Sequence, residues 1–142
     1  MKKLLILSCG RRKRPNKGII RAIDRYDGGW HRVVRKRVFS DDRIDDVDVV
    51  ILSGRYGLIS ADYLIPYYEE QEPHRRLREK REEIHRSLRK LIETGNYGEI
   101  YLLMGSEFKG VVDGAIPKSV DVVFCNGGYG EKMSHFIEWL HR

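Results

Sequence analysis

The sequence predicts an α/β protein, a three-layer α/β/α sandwich whose mainly parallel sheet has about four strands. Two observations carry this. Four short runs are apolar at consecutive positions, as in strands buried on both faces. Stretches of a dozen residues or more, with helical spacing, separate them, which implies parallel pairing through right-handed crossovers. A chain of 142 residues is the size of one domain, so residues 1–142 are read as a single α/β unit.

The first strand is 3–8, where Leu4-Leu5-Ile6-Leu7 runs into Ser8-Cys9-Gly10. Helical spacing covers Gly18 to Val38, with Ile19, Ile20 and Ile23 on one face and Trp30, Val33, Val34 and Val38 following. Gly28-Gly29 divides it into two pieces. The second strand is 47–52. A long loop follows over 60–72, too long for a plain connection and therefore a candidate functional loop. Pro73 opens a helix with Leu77, Ile84, Leu88, Leu91 and Ile92 on one face, and Gly95-Asn96 stops it. Strands at 99–104 and 120–124 end in Gly105-Ser106 and in Cys125-Asn126-Gly127-Gly128-Tyr129-Gly130. Met133, Phe136, Ile137 and Leu140 then mark a last helix.

Charge is uneven. The net charge is +6, from 27 Lys and Arg against 21 Asp and Glu. Eleven cations lie between Arg11 and Arg37 with only Asp24 and Asp27 among them, and eight lie between Arg75 and Lys90. This clustering suits a polyanionic partner: DNA, RNA or a nucleotide. On the Pro73 helix, Glu82 and Arg86 have the spacing of an internal ion pair. No apolar run approaches the roughly 20 residues of a membrane span, so no membrane partner is expected. The apolar start is too short for a signal peptide and runs at once into Arg11-Arg12-Lys13-Arg14, so a cytoplasmic location is expected. Cys9 and Cys125 stand alone, outside any metal spacing. Neighbouring strands would make a disulfide between them geometrically possible. None of the five histidines forms a His-Glu-x-x-His or His-x3-His pair, so neither metal nor cofactor is expected; His135 alone invites attention as an acid or base.

Both Ser8-Cys9-Gly10 and Ser53-Gly54 end a strand and lead into cations, and ligands in such folds bind outside the carboxyl ends of the strands. Ser8, Cys9 and Lys13 after the first strand read as an anion site. Ser53, Arg55, Tyr56 and Gly57 form the central turn, where glycines allow close backbone approach and a planar cation adjoins an aromatic face. Tyr56, Tyr67 and Tyr129 offer stacking faces for a base, and Lys13 and Arg55 hold phosphate or carboxylate. Gly105, Ser106 and Asn126 complete the candidate rim. Asp62 and Glu69, in the long loop, are the candidate acid–base pair. Neither a Walker loop nor a dinucleotide-binding glycine pattern is present.

At these residues the chain resembles a family of short bacterial, archaeal and phage proteins classed as domain of unknown function 6884. The carriers are Ser8-Cys9 with Lys13, Tyr26-Asp27-Gly28, Ile51 to Leu58, and Asp62 with Pro66-Tyr67. Where that family has Ala-Lys in the central motif, this chain has Gly54-Arg55, which keeps a cation. The segment Ser8 to Pro15 is also similar to a Cys-Ser-x-x-Lys-Pro segment in the uracil-DNA-glycosylase-like domain of archaeal tRNA-guanine transglycosylase relatives. A looser similarity links the chain to the YaaA family of peroxide-stress DNA-binding proteins. These resemblances imply chemistry or binding at nucleobases. The glycosylase water-activating Asp motif and His-Pro-Ser loop are absent here. The expected function is a nucleotide- or nucleic-acid-base-directed enzyme acting at the N-glycosidic bond or in base modification. The alternatives are a non-catalytic nucleic-acid-binding module and a small nucleotide sensor.

Overall fold

The computed structural model describes residues 2–124 and 127–142. Strand β1 (Lys2–Ser8) buries five consecutive residues and takes the centre of a five-stranded sheet. On one side it pairs in parallel with β3 (Val47–Ser53), in register Leu5 to Val49 and Leu7 to Ile51. On the other it pairs in parallel with β6 (Tyr97–Leu103), which pairs in parallel with β7 (Asp121–Val123). All four expected strands are present and parallel. Continuous Leu, Ile and Val suit a strand with both faces buried, each such side chain contributing about 1.5–3 kcal/mol on burial.

A fifth strand, β4 (Gly57–Ser60), lies antiparallel on the β3 edge, with Gly57 opposite Ser53 and Ser60 opposite Val50. The Ser53–Gly57 turn is therefore a hairpin, closed by Gly57 at φ +79. The chain makes a second, two-stranded sheet from β2 (Ile19–Arg21) and β5 (Leu64–Pro66), again antiparallel. This corrects the expected helix at its start and the expected loop at 60–72. Ile19, placed on a helical face by its spacing, is 63% exposed on the ribbon. The β-branched pair Ile19-Ile20 fits either period, and Gly18 at φ +84 turns the chain into the strand.

Helix α1 (Ala22–Arg25) is one turn, and α2 (Gly29–Val34) runs on into a π-helical segment, Arg35–Phe39. The break at Gly28 is where the sequence placed it. The helix beginning at Pro73 is divided at Lys80 into α3 (Pro73–Glu79) and α4 (Arg81–Gly95), bridged by a bond from Ile84 N–H to the Lys80 carbonyl at 2.9 Å. Left-handed Asn96 ends it. Helix α5 (Ser106–Val112) has no counterpart in the sequence expectations, and α6 (Tyr129–His141) closes the chain. Helices α3, α4 and α5 pack on one another. Helices α2 and α6 meet where Trp30 packs edge-on against Phe136. Lys3 reaches from β1 to the C-terminus of α6, donating to the carbonyls of Trp139 (2.8 Å) and Arg142 (2.7 Å). No helix among the described residues is long and apolar enough to cross a membrane.

Candidate functional site

The parallel strands stand in the order β3-β1-β6-β7, so the chain winds from β1 to one side and then resumes on the other. In such sheets a crevice opens outside the carboxyl ends of the two strands flanking the reversal, here β1 and β6. A cavity of about 530 Å³ occupies that place. Cys9, Gly10 and Arg11 form the wall after β1, Glu107 and Phe108 the wall after β6, and Glu72 to Arg78 of the α3 region the third side.

Tight contacts fix these walls. A Cβ on Gly54 would lie 3.0 Å from Pro73 Cα and 3.1 Å from its carbonyl oxygen, so the β3–β4 turn presses directly on the first residue of α3. His31, buried beneath the loop after β1, bonds through Nε2 to the Ser8 carbonyl (3.0 Å) and accepts at Nδ1 from Gly28 N–H (3.1 Å). A carbonyl on one nitrogen and an amide N–H on the other fix the neutral Nε2–H tautomer. Burial, partly offset by the Ser8 carbonyl, holds its pKa down to about 4. His74 Nε2 bonds to the Glu107 carbonyl (2.9 Å) and its ring meets Phe108 edge-on at 5.4 Å, joining α3 to α5 across the crevice.

Behind the β1 wall lies a buried group of hydroxyls. Tyr26 donates to Ser53 Oγ at 2.9 Å, and the Tyr26 and Tyr68 hydroxyls are in direct contact. Ser53 Oγ also accepts from Tyr56 N–H at 3.1 Å. Lys13 Nζ lies 4.5 Å and the Arg55 guanidinium 5.1 Å from the Tyr68 ring centroid. Burial pushes the Cys9 thiol up, against the Gly54 N–H and Lys13, which favour the thiolate. Burial likewise lowers Lys13, opposed by Cys9 and Glu70. Arg25 is fully buried with no carboxylate partner among the described residues. Its guanidinium donates to the carbonyls of Arg14, Asn16, Gly18 and Ile65, and so shapes the loop that carries Lys13.

The structure brings together Cys9, Lys13, Ser53, Arg55, Tyr56 and Gly57, with Ser8 held under His31. It adds Tyr68 and Glu70, which have no signal in the sequence, and Tyr26, which in the sequence only carries the family resemblance. Ser53 is fully buried and its hydroxyl is spent on tyrosines and backbone, so it is a structural member of this group rather than a ligand contact. Gly105 and Ser106 lead into Glu107 and Phe108 at the far wall. Asp62 lies elsewhere. Strand β4 carries the chain back along β3, and Asp62 pairs with Arg21 at 3.3 Å beside Val47 and Asp48, at the opposite end of the sheet from Ser53. Glu69 is exposed, accepting from the Tyr67 hydroxyl at 3.5 Å, and its charge, with that of Glu70, acts on Lys13. Tyr129 packs on Trp30 at 5.3 Å, on the α2–α6 side. His135 bonds to the Tyr101 hydroxyl there at 2.9 Å. Asn126 lies outside the described residues, as does Cys125. Strand β6 separates β1 from β7, so the strands leading to Cys9 and Cys125 are not neighbours.

Sequence reasoning treated Arg75 and Arg78 only as part of a basic run. The proximity of Gly54 to Pro73, which turns this run toward the crevice, has no signal in the sequence. Arg11 and Arg78 have no ion-pair partner among the described residues, whereas Arg75 is held by Glu72 at 3.1 Å and Glu79 at 3.3 Å.

No family model and no curated protein matches this chain. Among solved structures it is similar to AF0587, a protein of unknown function, with a TM-score of 0.53 and 18% identity. The match covers 96% of this chain and 44% of that one, so this chain spans less than half the length of its structural relative. The likeness concerns the fold.

Proposed function

We propose that the crevice binds a nucleotide, free or within a nucleic acid, and that the protein acts at its base, at the N-glycosidic bond or in base modification. One observation carries this reading. At the reversal of strand order, two guanidinium groups without ion-pair partners among the described residues, Arg11 and Arg78, line the same cavity as the ring pair Phe108 and His74. Arginine takes a phosphate bidentately, and an aromatic ring takes a base. The cavity's volume lies within the usual range for small-ligand sites, about 300–1,000 Å³. Glu107, on the β6 wall, is the carboxylate placed to handle a proton or face a developing sugar cation; Asp62 is too far away to share that role. The resemblance carried by Ser8 to Pro15 points to the same ligand class. A three-layer arrangement, α2 and α6 on one face of the sheet and α3, α4 and α5 on the other, in a single domain, is the architecture that fits these contacts. A buried free thiol at Cys9 accords with a reducing, cytoplasmic setting.

Binding without turnover has its own support. Cys9 is kept as the neutral thiol by burial and His74 is tied to a carbonyl, so neither is an activated nucleophile. Titration calorimetry with nucleoside monophosphates and nucleosides, paired with chromatographic detection of released base, separates the readings. Monophosphates are expected to bind and nucleosides to bind at least tenfold more weakly. Arg11→Ala and Arg78→Ala should each lose about 1.5–3 kcal/mol of binding, the value of a charged hydrogen bond, with little change in melting temperature. Equal affinity for nucleoside and monophosphate would overturn the proposal. Tight binding with no released or altered base would leave the binding module.

A further inference from the structure

Resting on the crevice reading above, we infer that the ligand is a single strand of nucleic acid whose backbone runs from the crevice along the arginine-lined flank of α3 and α4. Arg81, His85 and Arg89 recur every four residues on α4, so they form one stripe along it, and Arg78, in the last turn of α3, precedes them across the break at Lys80. Arg86 borders it. Glu82 is the acid among them, at the spacing from Arg86 that favours an ion pair, yet the two make none. Neither Arg78 nor Arg81 nor Arg89 makes one among the described residues. The helix thus leaves its charge facing outward instead of cancelling it.

The stripe is also a groove. Arg81, Glu82, His85, Arg86 and Arg89 line a depression of about 350 Å³. Its floor is rigid: His85 Nε2 bonds to the Val111 carbonyl at 2.8 Å, and Arg81 donates to the carbonyls of Gly110 and Asp113, each at 3.2 Å. These bonds tie α4 to the same helix, α5, whose first turn forms the crevice wall at Glu107 and Phe108. Crevice and groove thus both border α5, with Arg78 of α3 lining the crevice and Arg81 of α4 lining the groove three residues on.

Length decides the class of ligand. The eight residues from Arg81 to Arg89 rise roughly 12 Å along α4 at 1.5 Å per residue. At about 3.4 Å per nucleotide along a strand, that is roughly three to four phosphates before Arg78 is counted. A mononucleotide fills the crevice and leaves this track empty. A base whose Watson–Crick edge is read in the crevice must be unpaired, since that edge is occupied in a duplex.

The test measures binding of fluorescein-labelled deoxy- and ribo-oligonucleotides of one, three, six and twelve residues across a salt series, for the wild type and R86Q/R89Q. Neither substituted residue lines the crevice. Wild-type affinity should climb steeply between one and six residues and flatten beyond. R86Q/R89Q should bind the mononucleotide as the wild type does, bind the hexamer at least tenfold more weakly, and lower the log–log salt slope by about 1.4, at roughly 0.7 per phosphate on a single strand. The ribo and deoxy series separate RNA from DNA. Wild-type affinity independent of length overturns the track while leaving the crevice reading intact. Unchanged hexamer affinity in R86Q/R89Q does the same. Equally tight, Arg86- and Arg89-dependent binding to duplex or to phosphatidylserine vesicles also overturns it. Track-dependent hexamer binding with no mononucleotide affinity would instead sink the crevice reading.

Discussion

Gly54→Ala tests whether the β3–β4 turn sets the crevice. The new methyl would meet Pro73 Cα at 3.0 Å, Pro73 O at 3.1 Å and Arg76 Cβ at 3.2 Å. The first two are backbone atoms, so no side-chain rotation relieves them; α3 or the turn must move. Overpacking of this kind costs about 1–3 kcal/mol. Gly54 does not occupy the left-handed region, so alanine also stiffens the unfolded chain and returns about 0.4–1 kcal/mol. The net expectation is a loss of about 1–2 kcal/mol, or about 3–6 °C in melting temperature for a chain of this size. Helix α3 carries His74, Arg75 and Arg78 into the crevice, so mononucleotide affinity should fall with it. Urea denaturation and calorimetric titration of the same sample measure both effects. Gly110→Ala is the control: apart from its chain neighbours and its own helix backbone, no described atom lies within 4 Å of an added Cβ, and in α5 it should gain about 0.5–1 kcal/mol of helix propensity. Wild-type stability and wild-type affinity in Gly54→Ala would refute the reasoning.

Three further outcomes follow from polar groups tied into the fold. His31 titrates near 6.5 unfolded and near 4 folded, so the unfolded chain takes up the proton first. Stability should therefore fall as pH drops from 6.5 toward 4, by up to about 3 kcal/mol, and His31→Gln should flatten that window in urea titrations. An identical slope in the variant would assign the effect elsewhere. Asp27, held near 2 chiefly by Arg32 with Arg35, adds stability above about pH 4 that is lost as pH falls toward 2. Arg25→Met removes the donor to four carbonyls, of which that of Ile65 is buried with its residue, and should cost about 2–4 kcal/mol by thermal melting. A loss below about 1 kcal/mol would mean that water replaces the guanidinium.

The parallel core was legible because a strand buried on both faces must be apolar at every position, and Leu4 to Leu7, Val49 to Leu52 and Ile100 to Leu103 are. The additions escaped for equally local reasons. Strand β4 is four residues long and begins inside a turn motif. Helix α5 is seven residues with a glycine in it, too short to show a period. The end of β1 was legible, and Cys9 after it does line the crevice; the second wall, Glu107 and Phe108, begins just past the expected Gly105-Ser106. Asp62 was misplaced because its role assumed that the chain stays at the strand end after the turn, whereas the hairpin returns it to the other end of the sheet. The crevice contribution of α3 depends on a contact between residues 54 and 73, which no periodicity encodes.

The arginines finally divide by what the fold does with them. Arg25 and Arg35 turn inward and donate to carbonyls, Arg35 to those of Ile23 (2.7 Å) and Tyr26 (2.9 Å) besides its pairing with Asp27. Arg21, Arg43 and Arg75 are matched by acids in largely exposed pairs, which contribute little to stability. Arg11, Arg78, Arg86 and Arg89 are matched by nothing among the described residues. Glu82 and Arg86 have the spacing of an ion pair on α4 yet make none among the described residues, so the charge of this flank stays uncancelled, as the proposed nucleic-acid track requires.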